Sequence, residues 1–277
     1  MSKFKITKRS LEEKVEWFLA RRISAPLCDE IRPVLIPDSL DEAYLVQDEL
    51  AKLLGWKVGG WKLGGTNRGT RQKFGCCAAY CGPIDSRRII FSQNADFFEW
   101  TLPGPIRAEA ELSFRLSSKI KSINELTSIE DVLKYVDACA SSIEFPYCTL
   151  PDLEEAGLVG LVADLCGSGY LVIGRSTAID GFNPKHPRSV RLRQNDNLSL
   201  GQTSNIIGSP VQALFEFFNL AIDHNLNLEP GQWIATGGCT PCVDFLSGSR
   251  ITVEFSGMEE FEIVVNSDSE KLLERYV

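Results

Sequence analysis

The chain has 277 residues, of which 44% are hydrophobic and 24% are charged, and its formal net charge is −8. This is the composition of a globular protein with a sizeable core, and the negative charge argues against nucleic acid as a partner. No apolar run approaches the ~18 residues of a membrane span, and the basic, amphipathic start lacks the apolar core of a secretory signal. We therefore expect a cytoplasmic protein that does not contact a membrane.

Two amphipathic helices are predicted at the start of the chain. The stretch SLEE from Ser10 has the form of a capping box, and apolar residues at helical spacing carry this helix to about Ile23. The stretch SLDE from Ser39 begins a second helix in the same way, and Gly55 is placed to end it. We interpret residues 1–55 as a helical N-terminal arm.

The remainder, residues 56–277, is predicted to be a catalytic, β-rich domain. It opens with the glycine-rich stretch GWKVGGWKLGGTNRG, which we interpret as a loop. One helix is predicted after Thr127 or Ser128 and another from Ser209-Pro210. Because strands outnumber helices and do not alternate with them, the pattern predicts an α+β fold with a mixed, largely antiparallel sheet. The predicted strands are Arg88–Phe91, Arg107–Leu116, Ser141–Phe145, Gly169–Ile173, Ser189–Gln194, Gln232–Thr236, Arg250–Phe255 and Phe261–Val265.

Two acids lie two residues apart in the stretch GPIRAEAELSFRL. Glu109 and Glu111 share the polar face of this predicted strand, opposite the apolar face that begins at Ala108. Side chains at i and i+2 can converge on one hard cation such as Mg²⁺ or Mn²⁺, which prefers oxygen ligands. Glu144, in SSIEFPY, is the candidate for a third ligand. A solvated outer face would show the same pattern, so the spacing leaves both interpretations open.

Histidine and cysteine chemistry is poorly supported. The only histidines, His186 and His224, lie near no obvious nucleophile, which argues against a hydrolase triad and excludes a histidine-rich zinc site. The nine cysteines are odd in number, and the CxxC pair Cys239 and Cys242 has no second pair, so we interpret the cysteines as buried free thiols. Structural zinc or redox function at the CxxC pair is the less favoured alternative. Chemistry would then depend on carboxylates, lysine and backbone groups.

Five stretches, in order, resemble the fumarylacetoacetate hydrolase superfamily, and most closely its 2-hydroxypenta-2,4-dienoate hydratase and 4-oxalocrotonate decarboxylase branch. GWKLGGT resembles the branch's lysine loop, IRAEAELSF its metal strand and SSIEF its third-ligand strand. VADLCGSGYLVIG and the segment from GSPVQ to ATGGCTP resemble two later motifs. The resemblance covers most of the chain and implies a fumarylacetoacetate hydrolase-like β-roll.

The resemblance also implies roles for individual residues. The metal ligands would be Glu109, Glu111 and Glu144, holding Mg²⁺ or Mn²⁺. Lys62 and Asp164 would be catalytic, with Lys57, in the near-duplicate GWKVGG, as the register alternative to Lys62. Substrate would be bound by Thr236, Gly237 and Gly238.

The implied function is that of a metal-dependent lyase acting on a small 2-oxo acid or 2-hydroxydienoate, with hydration ranked first. The alternatives are decarboxylation of a 2-oxo dicarboxylate such as 4-oxalocrotonate, or a catalytically altered homologue that serves as a binding or assembly partner. In either reaction the ion would stabilise an enolate. Lys62 would supply charge stabilisation, or a proton if burial lowers its pKa. Carbon–carbon hydrolysis ranks lower because no histidine matches the required base. The resemblance further implies a homo-oligomer and association with a homologous enzyme.

The chain departs from the branch pattern near the implied site. Tyr80 stands at a usually acidic position, no arginine follows Glu144 in FPYCT, and Leu165 replaces an asparagine. These changes leave the three implied metal ligands in place. They therefore affect the implied reaction and not the implied metal binding.

Overall fold

Five helices are present in the computed structural model, which describes residues 8–24, 30–118, 126, 128–183 and 186–267. None of these helices has the length and apolar character needed to cross a membrane. The two predicted helices of the arm are α1 and α2, and the predicted helix after Ser209 is α5. The helices are α1 (Lys8–Ile23), α2 (Leu40–Leu53), α3 (Arg68–Phe74), α4 (Leu153–Ala163) and α5 (Pro210–Asp223).

Two sheets hold the strands of the described residues. The larger has the order β2-β1-β11-β5-β6-β7-β3, with β12 added beside β5 and β8 beside β6; the smaller has the order β10-β9-β13-β14-β4. Three pairings are parallel (β1–β11, β3–β7 and β4–β14) and the others are antiparallel, which confirms the α+β, largely antiparallel prediction. The strands are β1 (Val58–Gly64), β2 (Tyr80–Asp85), β3 (Ile89–Phe91), β4 (Phe97–Glu99), β5 (Ile106–Leu116), β6 (Val136–Phe145), β7 (Tyr170–Ile173), β8 (Thr177–Ala178), β9 (Ser189–Gln194), β10 (Asn197–Gln202), β11 (Trp233–Gly238), β12 (Val243–Phe245), β13 (Ser249–Phe255) and β14 (Phe261–Asn266).

The long strand β5 occupies the middle of the larger sheet. Its antiparallel neighbours are β6 on one side and β11 followed by β12 on the other. The apolar face of β5, which includes Leu112 and Phe114, is fully buried in the main core, as the period of two predicts. Phe18 of α1, Leu50 of α2 and the apolar stripe of α5 belong to the same core cluster as β5, so both arm helices and the sheet share one apolar interior.

Helix ends follow the predicted capping in part. Ser39 accepts a hydrogen bond from the Glu42 backbone N–H and caps α2, and Gly55 follows that helix in the left-handed region at φ +64°. Ser209 caps α5 in the same way. The predicted start of the first helix at Ser10 is wrong, because α1 already begins at Lys8.

The glycine-rich stretch is the largest error in the predicted architecture. Residues 58–64 form strand β1, hydrogen-bonded between β2 and β11, and not a loop. Glycine is poor in strands because it contributes no side-chain packing, but here it is needed for close approach. A Cβ on Gly64 would lie 2.2 Å from the ring of Tyr80, so a side chain at this position would displace that ring.

The helix predicted after Thr127 or Ser128 is a 3₁₀ helix over Ile129–Tyr135, capped by Ser128, and Thr127 itself lies outside the described residues. Strand β6 follows at once, which places Val136 in the sheet. Helices α3 and α4 were not expected from the periodicity, because they are short and lack a wide apolar stripe. The division of the chain at residue 55 stays a prediction.

Candidate metal centre

Three carboxylates converge on one face of the larger sheet. Glu109 on β5 lies directly opposite Glu144 on β6, and Glu111 lies opposite Ser142. One oxygen from each of Glu109, Glu111 and Glu144 lies within 4.8 Å of the other two. Glu111 is fully buried and Glu144 is 1% exposed, whereas Glu109 is partly buried. The polar face of the predicted strand is therefore not a solvated outer face.

Other polar groups fix the backbone around these acids. The hydroxyls of Ser113 and Ser142 lie 2.7 Å apart across the β5–β6 ladder, and that of Ser142 donates to the Glu111 carbonyl at 3.0 Å. A buried serine with such partners satisfies its hydrogen-bonding groups and resists rotation of the strand. The ligand side chains are thus presented by rigid, paired strands.

Electrostatics in this cluster disfavours three negative charges without a cation. Burial, together with the charge of Glu144, raises the pKa of Glu109 to about 8. The same causes, with Glu109 added, raise the pKa of Glu111 well above its ordinary value, and the Gly237 N–H offsets this only in part.

The donor set fits a hard divalent cation. Glu111 Oε1 and Glu144 Oε2 are buried and accept no hydrogen bond from any described residue. Buried polar atoms without partners are rare, and a missing ion is one of the physical explanations for them. Carboxylate oxygens are the ligands that Mg²⁺, Mn²⁺ and Ca²⁺ prefer. The three glutamates could therefore hold such an ion.

Lys62 borders the cluster from β1. Its Nζ lies 3.0 Å from Glu144 Oε1, and the residue is only 8% exposed. Burial alone would lower the pKa of Lys62, but the negative charges of Glu144 and its neighbours outweigh burial and raise this pKa well above its ordinary value. The expected lowering is thus not seen, and Lys62 contributes a fixed positive charge. Lys57, the register alternative, is exposed outside the cluster.

The TGG segment, which ends β11 at a shift in its register with β5 and was expected to be a turn, supports the carboxylates. The Gly237 N–H donates to Glu111 Oε2 at 2.7 Å, and the Thr236 hydroxyl donates to the Leu112 carbonyl at 2.7 Å. Gly238 lies so close to Glu109 that an added Cβ would fall 1.9 Å from Glu109 Oε2. In this structure, the hydroxyl of Thr236 and the N–H of Gly237 therefore donate their hydrogen bonds to residues of β5. Their contacts with substrate stay a prediction.

Asp164 makes contacts that hold neighbouring segments in place. Its Oδ1 lies 2.7 Å from Arg22 Nε, and its Oδ2 accepts from the Thr149 N–H at 2.6 Å. Arg22 also donates to the carbonyls of Ser168 and Tyr147. Both carboxylate oxygens are thus used in joining α1 to the segment that follows β6, and the catalytic role of Asp164 stays a prediction.

A cavity of about 600 Å³ adjoins the cluster at Lys62, which lies in its lining together with Arg107 and Cys242. A second cavity of about 580 Å³ reaches Gly238 from the side of Asn67 and Arg68. Volumes in this range suit small organic ligands. Both cavities end at neighbours of the carboxylates, Lys62 and Gly238, while the three glutamates themselves line neither cavity.

Sequence reasoning did not find Arg22, since its partner is distant in the chain. Tyr80, at the usually acidic position, lies opposite Gly64, and burial raises its pKa, so its phenol is neutral. Both histidines lie outside the carboxylate cluster: His186 is exposed, and His224 follows α5 with its ring 4.2 Å from that of Tyr44.

The cysteines within the described residues are free thiols, as predicted, and Cys28 lies outside those residues. The expected burial is wrong for Cys77 and Cys242, which are exposed. The only group of described side chains spaced to hold a metal ion is the one formed by the three glutamates. The CxxC pair therefore does not form part of a metal site in the described chain.

Comparison with known proteins identifies solved structures that share the fold of this chain. No protein-family model matches the chain. The 4-oxalocrotonate decarboxylase of Pseudomonas putida is 23% identical over 154 residues, and the match spans 55% of this chain and just over half, 58%, of the relative. A structure of 4-oxalocrotonate decarboxylase from Pseudomonas putida G7, complexed with magnesium and adipate, has a TM-score of 0.82 at 19% identity and covers 94% of this chain and 99% of its own.

A more distant structure is fumarylpyruvate hydrolase from Pseudomonas aeruginosa, in complex with Mn²⁺ and pyruvate. Its TM-score is 0.57 at 12% identity, and the match covers 77% of this chain and 91% of that one. Structural similarity at sequence identities of 19% and 12% shows a shared fold and nothing further. The β-roll that the sequence motifs imply is thus confirmed.

Proposed function

We propose that this chain, which has the fold of the fumarylacetoacetate hydrolase superfamily, is a divalent-metal-dependent lyase that acts on a small 2-oxo acid. The observation that carries the proposal is the buried group Glu109, Glu111 and Glu144, with Lys62 between it and a cavity. Mg²⁺ or Mn²⁺ is the proposed ion, and the similar structures with magnesium and Mn²⁺ support this choice. When bound, the ion would supply Lewis-acid stabilisation of an enolate.

The chain's own residues would orient the ligands and stabilise charge. The Gly237 N–H fixes one oxygen of Glu111, which leaves its other oxygen for the ion. Lys62 keeps its proton and places a positive charge where negative charge develops on the 2-oxygen of the substrate. Because this charge is already in place, it needs no reorganisation during the reaction. Preorganised charges of this kind are the largest source of transition-state stabilisation in many enzymes.

Decarboxylation is the reaction we place first, because the structure with a TM-score of 0.82 is named a decarboxylase. The bond between the departing carboxylate carbon and the rest of the substrate breaks, and its electron pair enters the conjugated system of the substrate. The negative charge collects on the 2-oxygen of the substrate as CO₂ leaves. Hydration, expected from the motifs, is the second candidate. In that reaction, water adds across the same conjugated system.

The positions of the histidines favour a lyase over a hydrolase. Neither His186 nor His224 lies at the three glutamates, so neither is placed to activate a water there. We also propose that the protein is cytoplasmic and homo-oligomeric. Light scattering coupled to size-exclusion chromatography tests the oligomeric state.

Turnover measurements test the proposed function. The purified chain is stripped of metal, supplied with Mg²⁺ or Mn²⁺, and assayed with 4-oxalocrotonate and with 2-hydroxypenta-2,4-dienoate. We expect metal-dependent turnover that is lost in Lys62→Met and Glu109→Gln. Lys57→Met, which removes the exposed lysine outside the cluster, serves as the matched control.

The pattern of outcomes identifies the function. Release of CO₂ identifies the decarboxylase, and loss of the dienoate with formation of a hydroxylated 2-oxo acid identifies the hydratase. Unchanged turnover in both site variants contradicts the proposal. Metal binding without turnover of any 2-oxo acid would instead support the altered homologue that acts as a binding or assembly partner.

A further inference from the structure

Tyr80 brings a phenol to the sheet face that carries the three glutamates. On the antiparallel pair β1–β2, Tyr80 lies opposite Gly64, and Gly82 lies opposite Lys62. Residues two apart on a strand share a face, as do residues that lie opposite each other, so the side chains of Lys62 and Tyr80 project from the same face. Lys62 reaches Glu144 from this face. The phenol therefore lies on the side of the sheet where the carboxylates converge.

The ring of Tyr80 crosses from β2 over β1. A Cβ added to Gly64 would lie 2.2 Å from Cε2 of the ring and 2.8 Å from the hydroxyl oxygen, and a Cβ on Gly65 would lie 2.9 Å from Cε1. Phe74 packs edge-to-face on the same ring, with the centroids 6.1 Å apart. Since β1 lies between β2 and β11, the side chain extends in the direction of β11 and β5, which carry the other groups of the site.

Tyr80 and the three glutamates lie in the interior that the two cavities flank. One cavity ends at Lys62 and the other at Gly238, and neither Tyr80 nor the glutamates line them. The charges of Lys62 and Glu109 both reach the phenol, since they shift its pKa in opposite directions. A ligand held at the carboxylates next to Lys62 would therefore lie beside the phenol.

The hydroxyl of Tyr80 has an unused hydrogen-bond donor. The residue is 4% exposed, yet its hydroxyl is hydrogen-bonded to no described residue, and its oxygen is not enclosed by protein. Two other buried phenols differ in this respect. The Tyr44 hydroxyl accepts from the Cys81 N–H, and the Tyr170 hydroxyl lies 2.8 Å from that of Thr101. Because buried phenols usually have such a partner, the free hydroxyl of Tyr80 is available to a ligand.

The charge balance of the site favours a neutral donor at this position. Three ionised glutamates, one divalent ion and the Lys62 ammonium sum to zero charge. Burial raises the pKa of Tyr80 well above its ordinary value, so the phenol keeps its proton and adds no charge. A neutral hydroxyl can still donate a hydrogen bond to an oxygen on which negative charge develops, as phenols do in other enolate-forming sites.

We propose that Tyr80 is a catalytic residue of the candidate site, and that its hydroxyl donates a hydrogen bond to the substrate oxygen on which negative charge develops, beside the ammonium of Lys62. The O–H bond of Tyr80 stays intact, and no proton is transferred. This inference rests on the proposed function for the enolate that the hydroxyl binds. Its own content is a role for a phenol to which the sequence motifs assign none.

Equilibrium binding tests the inference without catalysis. Oxalate carries the planar, anionic O–C–C–O group of a 2-oxo acid enolate and does not react, so its affinity is measured by calorimetry with saturating Mg²⁺. Tyr80→Phe keeps the ring and removes only the hydroxyl. We expect it to raise the Kd of oxalate about tenfold, as for one hydrogen bond to a charged acceptor. The Kd of Mn²⁺ and the Tm should stay unchanged, because the ring still packs on Gly64 and Phe74.

Tyr170→Phe is the matched control. It also removes a buried hydroxyl, but Tyr170 neighbours Leu171, the residue opposite Glu144, and therefore projects from the other face of the sheet. It should leave the Kd of oxalate unchanged. In turnover assays, Tyr80→Phe should lower kcat about a hundredfold with little change in KM, because the hydrogen bond strengthens only as negative charge develops.

Two results would overturn the inference: an unchanged Kd of oxalate in Tyr80→Phe, or a rise that comes with a fall in Tm and is matched by Tyr170→Phe. Failure of the proposed function looks different. Weaker oxalate binding by Tyr80→Phe, in a chain that turns over no 2-oxo acid, supports the phenol as the donor to the bound anion and contradicts the proposed lyase. Turnover of a 2-oxo acid, with kcat and the Kd of oxalate unchanged in Tyr80→Phe, does the reverse.

Discussion

Glu109 and Glu144 are directly opposed residues of the β5–β6 ladder, with their side chains on the same face of the sheet. Like charges in directly opposite positions destabilise a strand pair. Lys62 offsets one charge at 3.0 Å, and Glu111 adds another on the same face. Placing these two negative charges opposite each other therefore lowers the folding stability of the chain. A bound cation would offset that loss.

Metal binding should therefore stabilise the fold. A ligand that binds only the native state, at a concentration about a hundred times its Kd, adds about 2.7 kcal/mol to the free energy of unfolding. For a chain of this size we expect Tm to rise by several degrees when Mg²⁺ or Mn²⁺ is added to EDTA-treated protein. Differential scanning calorimetry measures this rise.

The control for this experiment is a matched pair of substitutions. Glu111→Gln keeps the shape of the side chain but removes a ligand charge, and should abolish most of the metal-induced rise in Tm. Glu99→Gln, at an exposed position on β4, should leave the rise unchanged. An equal response of both variants would show that the ion binds elsewhere.

A methyl group at Gly238 should disturb the centre from the backbone side. A Cβ there would fall 1.9 Å from Glu109 Oε2, so that carboxylate must move in Gly238→Ala. We expect the Kd for Mn²⁺, measured by electron paramagnetic resonance, to rise about tenfold or more, as for a ligand whose support is lost. Gly181→Ala is the control, because no atom lies within 4 Å of its added Cβ. Unchanged affinity in Gly238→Ala would argue against Glu109 as a ligand.

The metal-free chain should lose stability as pH rises. The pKa of Glu109 is raised to about 8 in the folded chain, above its value of about 4.3 in an unfolded one. The folded state therefore favours the protonated form, so this contribution is present below about pH 4 and is lost as pH rises through about 8. Urea unfolding in EDTA should show a loss on the order of 5 kcal/mol over this window. Glu109→Gln should reduce this pH dependence without abolishing it, because the pKa of Glu111 is raised as well. An unchanged pH dependence in this variant would show that Glu109 does not contribute.

Asp164→Asn distinguishes a structural from a catalytic role. Removing one partner of a buried ion pair leaves the other charge uncompensated, at a cost of about 3–5 kcal/mol. Urea unfolding should show a loss of this size, whereas Asp137→Asn, in an exposed pair with Arg115, should cost about 1 kcal/mol or less. If the folded fraction of Asp164→Asn keeps its kcat, then Asp164 acts on structure alone. A large fall in kcat without loss of stability would support the catalytic prediction.

Local patterns predicted the strand that carries the site. The period of two placed Glu109 and Glu111 together on one face, and each predicted strand is present with its ends shifted by a few residues. The burial of that polar face could not be derived from β5 alone. It depends on Lys62 of β1 and on the TGG segment of β11, which come to lie beside the acids of β5 only when the sheet forms. The family resemblance supplied what the local pattern left open.

Contacts between distant segments account for what sequence reasoning missed. Arg22 and Asp164 are 142 residues apart, and nothing in either local pattern indicates the other. The glycines of β1 predicted a loop because glycine has a low strand propensity. At Gly64, however, glycine is needed because the ring of Tyr80, on the neighbouring strand, leaves no space for a side chain. Such choices are made by tertiary packing.

The ion pair of Arg22 also bears on how the molecule opens. Arg22 joins the end of α1 to Asp164 and to the carbonyl of Tyr147, which lines the same cavity as Lys62, and Phe18 of the same helix is fully buried. Detaching the helix therefore exposes a buried charge and apolar surface together. Amide hydrogens of α1 and of α4, whose C-terminal cap is Asp164, should consequently exchange with solvent through one shared opening event, as members of a single foldon.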